Sequence, residues 1–430
     1  MSTQSDIDER MPDAAVTASP DLQPRSWFNR TVVGAGLTSA LGDFCYETTT
    51  VILPGFLAVL GIPAAVLGTI EGAADAVASF TKMLAGYIAD KLGHRKLLVL
   101  IGYSLTPVGQ MLIALAAGWP LLLAGRLVSW FGKGLRGPLR DAIVLQAISP
   151  ETRGRAFGFH RAMDTLGAVV GPLIGVALLG WAQNMTWHDS SGPFRIVLWV
   201  SVIPGLLAVV AFLMLVKDPE RSRNPVLRFF TALRGLPIRF KRYLAAVGVF
   251  GTGDFSHSLL ILAATQLLTP TLGVIRAAQV AGLLYVGRNV VQVLTSFSIG
   301  VLADRFGSLP VLVTGYFLGT LTAVLTAFAF YFGVDSVILL AGIFIIAGLY
   351  VAVQEALEST VTAGLVSEDT FGTALGALGT VNGVAKFISS TLVGMLWTVI
   401  SPGFSFGLAA GLMTVGTLLL SRLRSVYDQH

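Results

Sequence analysis

Charge is what this chain has least of. Asp, Glu, Lys and Arg make up only 12% of its 430 residues, against about 25% in soluble globular chains. That scarcity excludes a soluble enzyme, a disordered protein and a nucleic-acid binder. Cysteine is nearly absent too: the single Cys45 allows no internal disulfide and no thiolate metal cluster. It sits in an apolar run and reads as a small buried packing residue. There is no GxxxxGK[ST] loop, and no strand precedes Gly132-Lys133-Gly134, so ATP hydrolysis is not expected. HExxH and paired CxxC are missing, so no catalytic centre, cofactor or resident metal is expected. His188, in NMTWHDS, reads as a solvated loop histidine. Alternation of apolar and polar residues at every second position is also missing, which argues against a β-barrel. Residues 1–26 lack an apolar stretch behind a basic one, so they read as a disordered cytoplasmic tail and not a cleaved leader.

Hydrophobic residues, by contrast, make up 54% of the chain, with 48 glycines and a mean hydropathy of +0.75. Glycine is more frequent in membrane helices than in soluble ones. Apolar segments of about 20–30 residues recur, each long enough to cross a ~30 Å hydrocarbon core. Six are placed near 31–60, 64–89, 96–117, 119–147, 155–181 and 194–216. Six more lie near 243–269, 275–303, 309–332, 335–364, 371–399 and 403–421. The expected fold is an all-α polytopic membrane protein of twelve transmembrane helices in contact with lipid. The second half of the fourth span, GKGLRGPLRDA, is polar enough to run along or beyond the membrane face.

Lys and Arg fall on one set of loops. Lys91, Arg95, Lys96, Arg153, Arg155, Arg305 and the run from Lys217 to Arg242 belong to it. The opposite loops, GIPAA, GWP, AQNMTWHDSSGP and FGVD, have none. Basic loops stay cytoplasmic, so both termini are expected inside an inner or plasma membrane. The net charge of +5 is then a topology signal, and the 217–242 run is a linker at an anionic leaflet.

The two halves echo each other at offsets of about 211–218 residues. Gly42-Asp43-Phe44 matches Gly253-Asp254-Phe255, and Gly86 to Gly93 (GYIADKLG) matches Gly300 to Gly307 (GVLADRFG). FGFHRAMDTLG sets Asp164 against Asn382 in LGALGTVNGVA. Two six-helix bundles follow, over 27–216 and 243–430, joined by the 217–242 linker. At this point the chain resembles the major facilitator superfamily. GYIADKLGHRK looks like its cytoplasmic signature, GVLADRFGS like the degenerate second copy, and RLVSWFG from Arg126 like its fourth-span signature. Gly167-Ala-Val-Val-Gly171-Pro172-Leu-Ile-Gly175 resembles the fifth-span signature linked to antiporters.

The motifs also make physical sense alone. Gly86 permits close helix approach. Asp90 can accept from a helix N-terminus of the other bundle, and Gly93 suits a positive-φ turn. Lys91, Arg95 and Lys96 can pair with Asp141 or with lipid phosphates. The resemblance implies a latch that stabilises the outward-facing state, with Asp304 and Arg305 in the second copy. Gly167, Gly171 and Gly175 share one helix face, and Pro172 can kink that helix.

Ionisable residues inside spans cost at least ~2.5–3.5 kcal/mol each, so they mark pairs or watery cavities. Several fall in stripes: Asp43 with Glu47, Glu71 with Asp75 and Lys82, Arg126 with Lys133, His160 with Asp164, and Asp254 with His257. Arg288, Glu355, Glu358 and Lys386 lie in later spans. The resemblance implies that the first, fourth, seventh and tenth spans line the cavity, making Asp43, Glu47, Arg126, Asp254, His257 and Glu355 candidates for substrate and proton. It places Glu71, Asp75, Asp164, Arg288 and Lys386 between the bundles as gating pairs. Phe44, Tyr46, Trp130, Phe255 and Tyr350 could contact an organic substrate.

The resulting expectation is a monomeric secondary active transporter working by alternating access. Protons are the expected coupling ion, with Asp43 and Glu47 as carriers, and export of a drug-like compound or metabolite is the leading direction. Uptake or exchange of a charged metabolite is the alternative. Export of a metal or siderophore, with Asp43, Glu47, Asp254 and His257 as ligands, is weaker. A non-transporting membrane sensor would not need titratable groups in both bundles.

Overall fold

The computed structural model describes residues 26–92, 95–149, 152–187, 189–217 and 235–427. The expected tail, His188, Gly93 and most of the basic linker lie outside them. The first bundle comprises α1 (Arg30–Val59), α2 (Ala64–Leu92), α3 (Arg95–Leu115), α4 (Trp119–Gln146), α5 (Arg153–Ala182) and α6 (Gly192–Leu215). The second comprises α7 (Ile238–Gly251), α8 (His257–Leu272), α9 (Val274–Phe306), α10 (Ser308–Tyr331), α11 (Val337–Leu365), α12 (Glu368–Val399) and α13 (Pro402–Tyr427).

Local chemistry sets several ends. Asn29 caps α1, its side chain accepting from the Thr31 and Val32 amides at 3.0 Å. Gly307 ends α9 at φ +88°, a conformation glycine adopts without strain. It is the counterpart of Gly93, for which the sequence predicts the same turn.

Seven helices, α3, α5, α6, α9, α10, α11 and α13, are long and apolar enough to cross a membrane. α1, α2, α4 and α12 are as long and carry interior charges. α7 and α8 are two halves of one span, which makes twelve crossings. The seventh span is thus broken at residues 252–256, where the sequence predicts a continuous helix. In the fourth, α4 runs unbroken through GKGLRGPLRDA to Gln146. Large apolar side chains such as Phe297 and Ile338 are exposed on the outside, as a lipid-facing surface requires. Cys45 is buried.

The bundles meet chiefly where α2 packs on α12 and α5 on α9. At the end whose loops lack Lys and Arg this contact is tight. A Cβ on Gly68 would strike the Ser390 carbonyl oxygen, and one on Gly394 the Ala64 carbonyl. Only glycine lets these backbones approach so closely. The Ala65 amide donates to Thr398 Oγ1 at 2.9 Å across the same seam.

Candidate central cavity

The interior charges meet between the bundles, around a cavity of about 780 Å³. It occupies the middle of the helices and the half nearer the basic loops. α1, α2, α4 and α5 line it from one bundle, and the α7–α8 span, α9, α11 and α12 from the other. Acids and bases line it in equal number, so most can be paired without a ligand.

Asp43, Glu47, Asp254, His257 and Glu355 line this cavity. Arg126 does not: it is fully buried in the first bundle. Its Nε and Nη2 donate to the two Glu71 oxygens at 2.7 and 3.0 Å, and Nη2 also to Thr50 Oγ1 at 3.1 Å. Its guanidinium lies 3.7 Å from the Trp130 ring centroid. Glu71 and Arg126 are therefore an ion pair inside one bundle, neither cavity-lining nor between bundles. The bidentate geometry offsets the cost of burying both charges. Asp75, Asp141, Asp164, Arg288 and Lys386, expected as interface residues, all face the cavity.

Most of these groups are tied. Asp43 lies 3.6 Å from Arg136 Nη2, and Lys386 donates to Asp254 at 2.9 Å. Trp130 donates to Asp75 at 3.0 Å. Ser39 donates to Asp164 at 2.5 Å and accepts from Arg140 at 2.8 Å. Asp141 pairs with Arg140 at 3.0 Å. Three polar contacts cross the cavity between bundles: Tyr285 OH to Glu47 at 2.9 Å, Asn289 to the Ala168 carbonyl at 3.0 Å, and Arg161 to Glu355 at 2.8 Å. Asp43, Glu47, Asp254 and His257 form no group that could hold a metal ion, among the described residues.

The fifth-span glycines have an unexpected partner. Cβ atoms on Gly167 and Gly171 would meet α1 at Ala40 and Phe44, and one on Gly175 would meet Thr48. Thr48 Oγ1 also donates to the Gly171 carbonyl at 2.9 Å. That face thus packs within its own bundle instead of between bundles, and α5 continues through Pro172. Val176, beside it, turns to Gly282 of α9. In the cytoplasmic signature, Gly86, Asp90 and Lys91 lie in the last turns of α2 with side chains outside the described set, while Arg95 is buried. Asp304 and Arg305 are exposed. Of the aromatic candidates, Tyr46 and Trp130 reach the cavity. Phe255 packs on Phe406 at 4.8 Å instead.

Sequence reading missed Lys133, Arg136, Arg140, Arg161 and Tyr285 as lining residues. A signal existed on α4: Trp130, Lys133, Gly137 and Arg140 recur at helical spacing on one face. Its polarity comes from facing the cavity.

Two helical bundles around a charged cavity define a multi-pass membrane transporter. The Major Facilitator Superfamily model matches residues 35–276, more than half of the chain, and the chain belongs to that family of secondary transporters of small molecules. An uncharacterised MFS-type transporter of Methanocaldococcus jannaschii is 28% identical over 386 residues, covering 90% of this chain and 92% of that protein. The quinolone resistance protein NorA of Staphylococcus aureus is 24% identical over 171 residues, 40% of this chain and 41% of NorA. A crystal structure of a nucleoside transporter NupG variant superposes with a TM-score of 0.76 at 16% identity, over 91% of this chain and 99% of that one. That likeness is one of fold.

Proposed function

We propose that this protein is a proton-coupled transporter of a small organic solute, working as a monomer in the cell membrane with both termini cytoplasmic. The observation that carries the reading is the Tyr285–Glu47 hydrogen bond, 2.9 Å across the bundle seam. Glu47 has no ion-pair partner among the described residues, so a proton on it alters a contact that holds the two bundles together. Asp43, one turn away beside Arg136, completes the proton site. The cavity reaches towards the basic loops while the opposite end is tightly packed, which suits a cytoplasm-facing state. Asp90, Lys91, Gly93 and Arg95, with Asp304 and Arg305, would latch the cytoplasmic end when the access alternates.

The fifth-span signature and the likeness to NorA support export. The charged lining favours a second reading, uptake or exchange of a charged metabolite. The test is flux in proteoliposomes under an imposed pH gradient. Glu47→Gln is expected to keep substrate exchange and lose pH-driven accumulation. Accumulation that stays fully pH-driven in Glu47→Gln, Asp43→Asn and the double variant sinks this pair as the proton carrier.

A further inference from the structure

Two side-chain groupings face each other across the cavity, one from each bundle, and they share one construction. In the first bundle Lys133 donates to Tyr46 OH at 2.9 Å, with its ammonium 4.1 Å from the Tyr46 ring centroid. Tyr46 in turn meets Trp130 edge to face, centroids 5.4 Å apart. In the second bundle the Arg288 guanidinium lies 5.6 Å from the Tyr285 ring, and His257 stacks on that ring at 5.3 Å. Each grouping is a cation on an aromatic pair, and all six residues line the same cavity.

These two cations stand apart from the others around them. Of the other cavity cations, Arg136, Arg140, Arg161 and Lys386 each have a carboxylate partner, and Lys82 is exposed. Lys133 and Arg288 form no ion pair among the described residues. Arg288 is buried, and its Nη1 donates only to the side-chain oxygens of Asn289 and Gln292, at 2.8 and 3.1 Å. Glu47, within electrostatic reach of both, is engaged by Tyr285, while Asp43 and Asp75, within reach of Lys133, are engaged by Arg136 and Trp130. A buried or half-buried cation with no direct ion-pair partner is costly, and an anionic ligand between Arg288 and Lys133 would offset that cost. His257 adds a second polar signal, since its Nε2 is buried without a partner. It also opens α8 at the break in the seventh span, where the helix N-terminus favours negative charge.

We infer that the cavity binds a small aromatic organic anion, with its carboxylate between Lys133 and Arg288 and its ring between the Tyr46–Trp130 and Tyr285–His257 pairs. This rests on the transporter reading and names the substrate class that reading leaves open. A carboxylate fits two single cations better than a cationic or neutral head group would. Because the cations come from opposite bundles, the anion would draw them together, so loading and bundle movement are linked.

The test uses the full chain in nanodiscs and three probes of one shape: 2-naphthoate, 2-naphthamide and 2-naphthylmethylammonium. Calorimetric titration is expected to rank 2-naphthoate about tenfold or more tighter than the amide, with the ammonium weakest, as loss of a charged hydrogen bond implies. Lys133→Gln and Arg288→Gln are each expected to weaken 2-naphthoate by about tenfold while leaving the amide within about threefold. The amide titration also shows that each variant is folded, and Lys133→Arg should retain most of the anion binding. Tightest binding of the ammonium, equal 2-naphthoate affinity in both Gln variants, or no binding of any probe overturns the inference. Counterflow in proteoliposomes separates the two claims. Binding of 2-naphthoate without exchange leaves the site standing and sinks the transporter reading. Exchange of the ammonium probe alone does the reverse.

Discussion

The same tripeptide, Gly-Asp-Phe, sits in both bundles and folds differently. In α1, Gly42-Asp43-Phe44 stays helical, with Tyr103 and Arg136 above Gly42. In the second bundle, Gly253-Asp254-Phe255 lies in the break between α7 and α8. There the α13 backbone at Ala409 comes so close to Gly253 that no Cβ fits. Ser390 Oγ accepts the Ser256 amide at 3.0 Å, and Lys386 holds Asp254. The Ser256 amide freed by the break is thus satisfied by a side chain of another helix, while the Gly253 and Asp254 amides turn back onto the Phe250 carbonyl. Local sequence permits both outcomes, and tertiary partners choose.

The bundles differ in their buried acids as well. In the first, Glu71 is gripped by Arg126 and Asp43 stands beside Arg136. In the second, Glu358 is held by neutral donors: Tyr316 OH at 2.8 Å, Asn382 at 2.6 Å and Gln354 at 3.1 Å. Asn382 matches Asp164 in the repeat, and Tyr316 occupies in α10 the place of Tyr103 in α3. The scaffold is conserved between halves while its charges are not. Both bundles hold an ion-paired acid, Glu71 locked by Arg126 in the first and Asp254 by Lys386 in the second, and the second adds Glu358, caged by neutral donors of its own bundle.

The largest effect should come from breaking the locked side. Arg126→Leu leaves Glu71 buried and uncompensated, a loss of about 3–5 kcal/mol. Thermal melts in detergent check this, and the double variant with Glu71→Leu should recover most of the loss. A single variant that melts like the wild type removes the lock. Gly171→Leu comes next. Its side chain has nowhere to go against the α1 backbone at Phe44, and overpacking of this kind costs about 1–3 kcal/mol. The melting temperature and the recovered yield should both fall. Wild-type melting in that variant would mean that α1 and α5 separate freely.

Much of this fold was legible because membrane spans are long apolar runs, and the paired motifs announced the repeat. What was not legible has physical causes. The break at 252–256 depends on Ser390 and Lys386, more than 100 residues away in sequence. Arg126 looked like a lining residue because the resemblance puts the fourth span on the cavity, yet Glu71 on the neighbouring helix neutralises it locally. Sequence spacing puts Lys133 only on a face shared with Arg126, and it does not single out Arg140. GKGLRGPLRDA is polar enough to leave the membrane, and only the cavity beside α4 distinguishes a wet helix face from an exit.

A smaller effect sharpens the contrast from the other bundle. Glu358→Gln keeps an acceptor for Tyr316 and removes no ion pair, so its cost should stay near ~1 kcal/mol. Glu71→Gln, which strips a guanidinium of its charge partner, should cost several-fold more. Comparing the two melts decides whether the neutral cage around Glu358 differs in kind. Equal losses would place both acids in the same electrostatic setting.

The smallest stability effect is expected where the bundles touch near the basic loops. Arg161 and Glu355 bridge α5 and α11 at 2.8 Å, with side chains 65% and 49% exposed. Gln292 donates to the same Glu355 oxygen at 2.8 Å. Exposed pairs of this kind contribute about 0–1 kcal/mol, so Arg161→Gln and Glu355→Gln should melt close to the wild type. Their consequence lies in the cycle, because the bridge joins opposite bundles at the end where the cavity lies and must break if that end is to open further. Each single variant should change exchange rates severalfold at unchanged stability, and the exchanged pair Arg161→Glu with Glu355→Arg should restore the rate. Rates unchanged in both single variants would reduce the contact to a surface ion pair. Rates changed in the singles but not restored by the exchange would assign the effect to Gln292 and Asp164, the other polar partners of these two side chains.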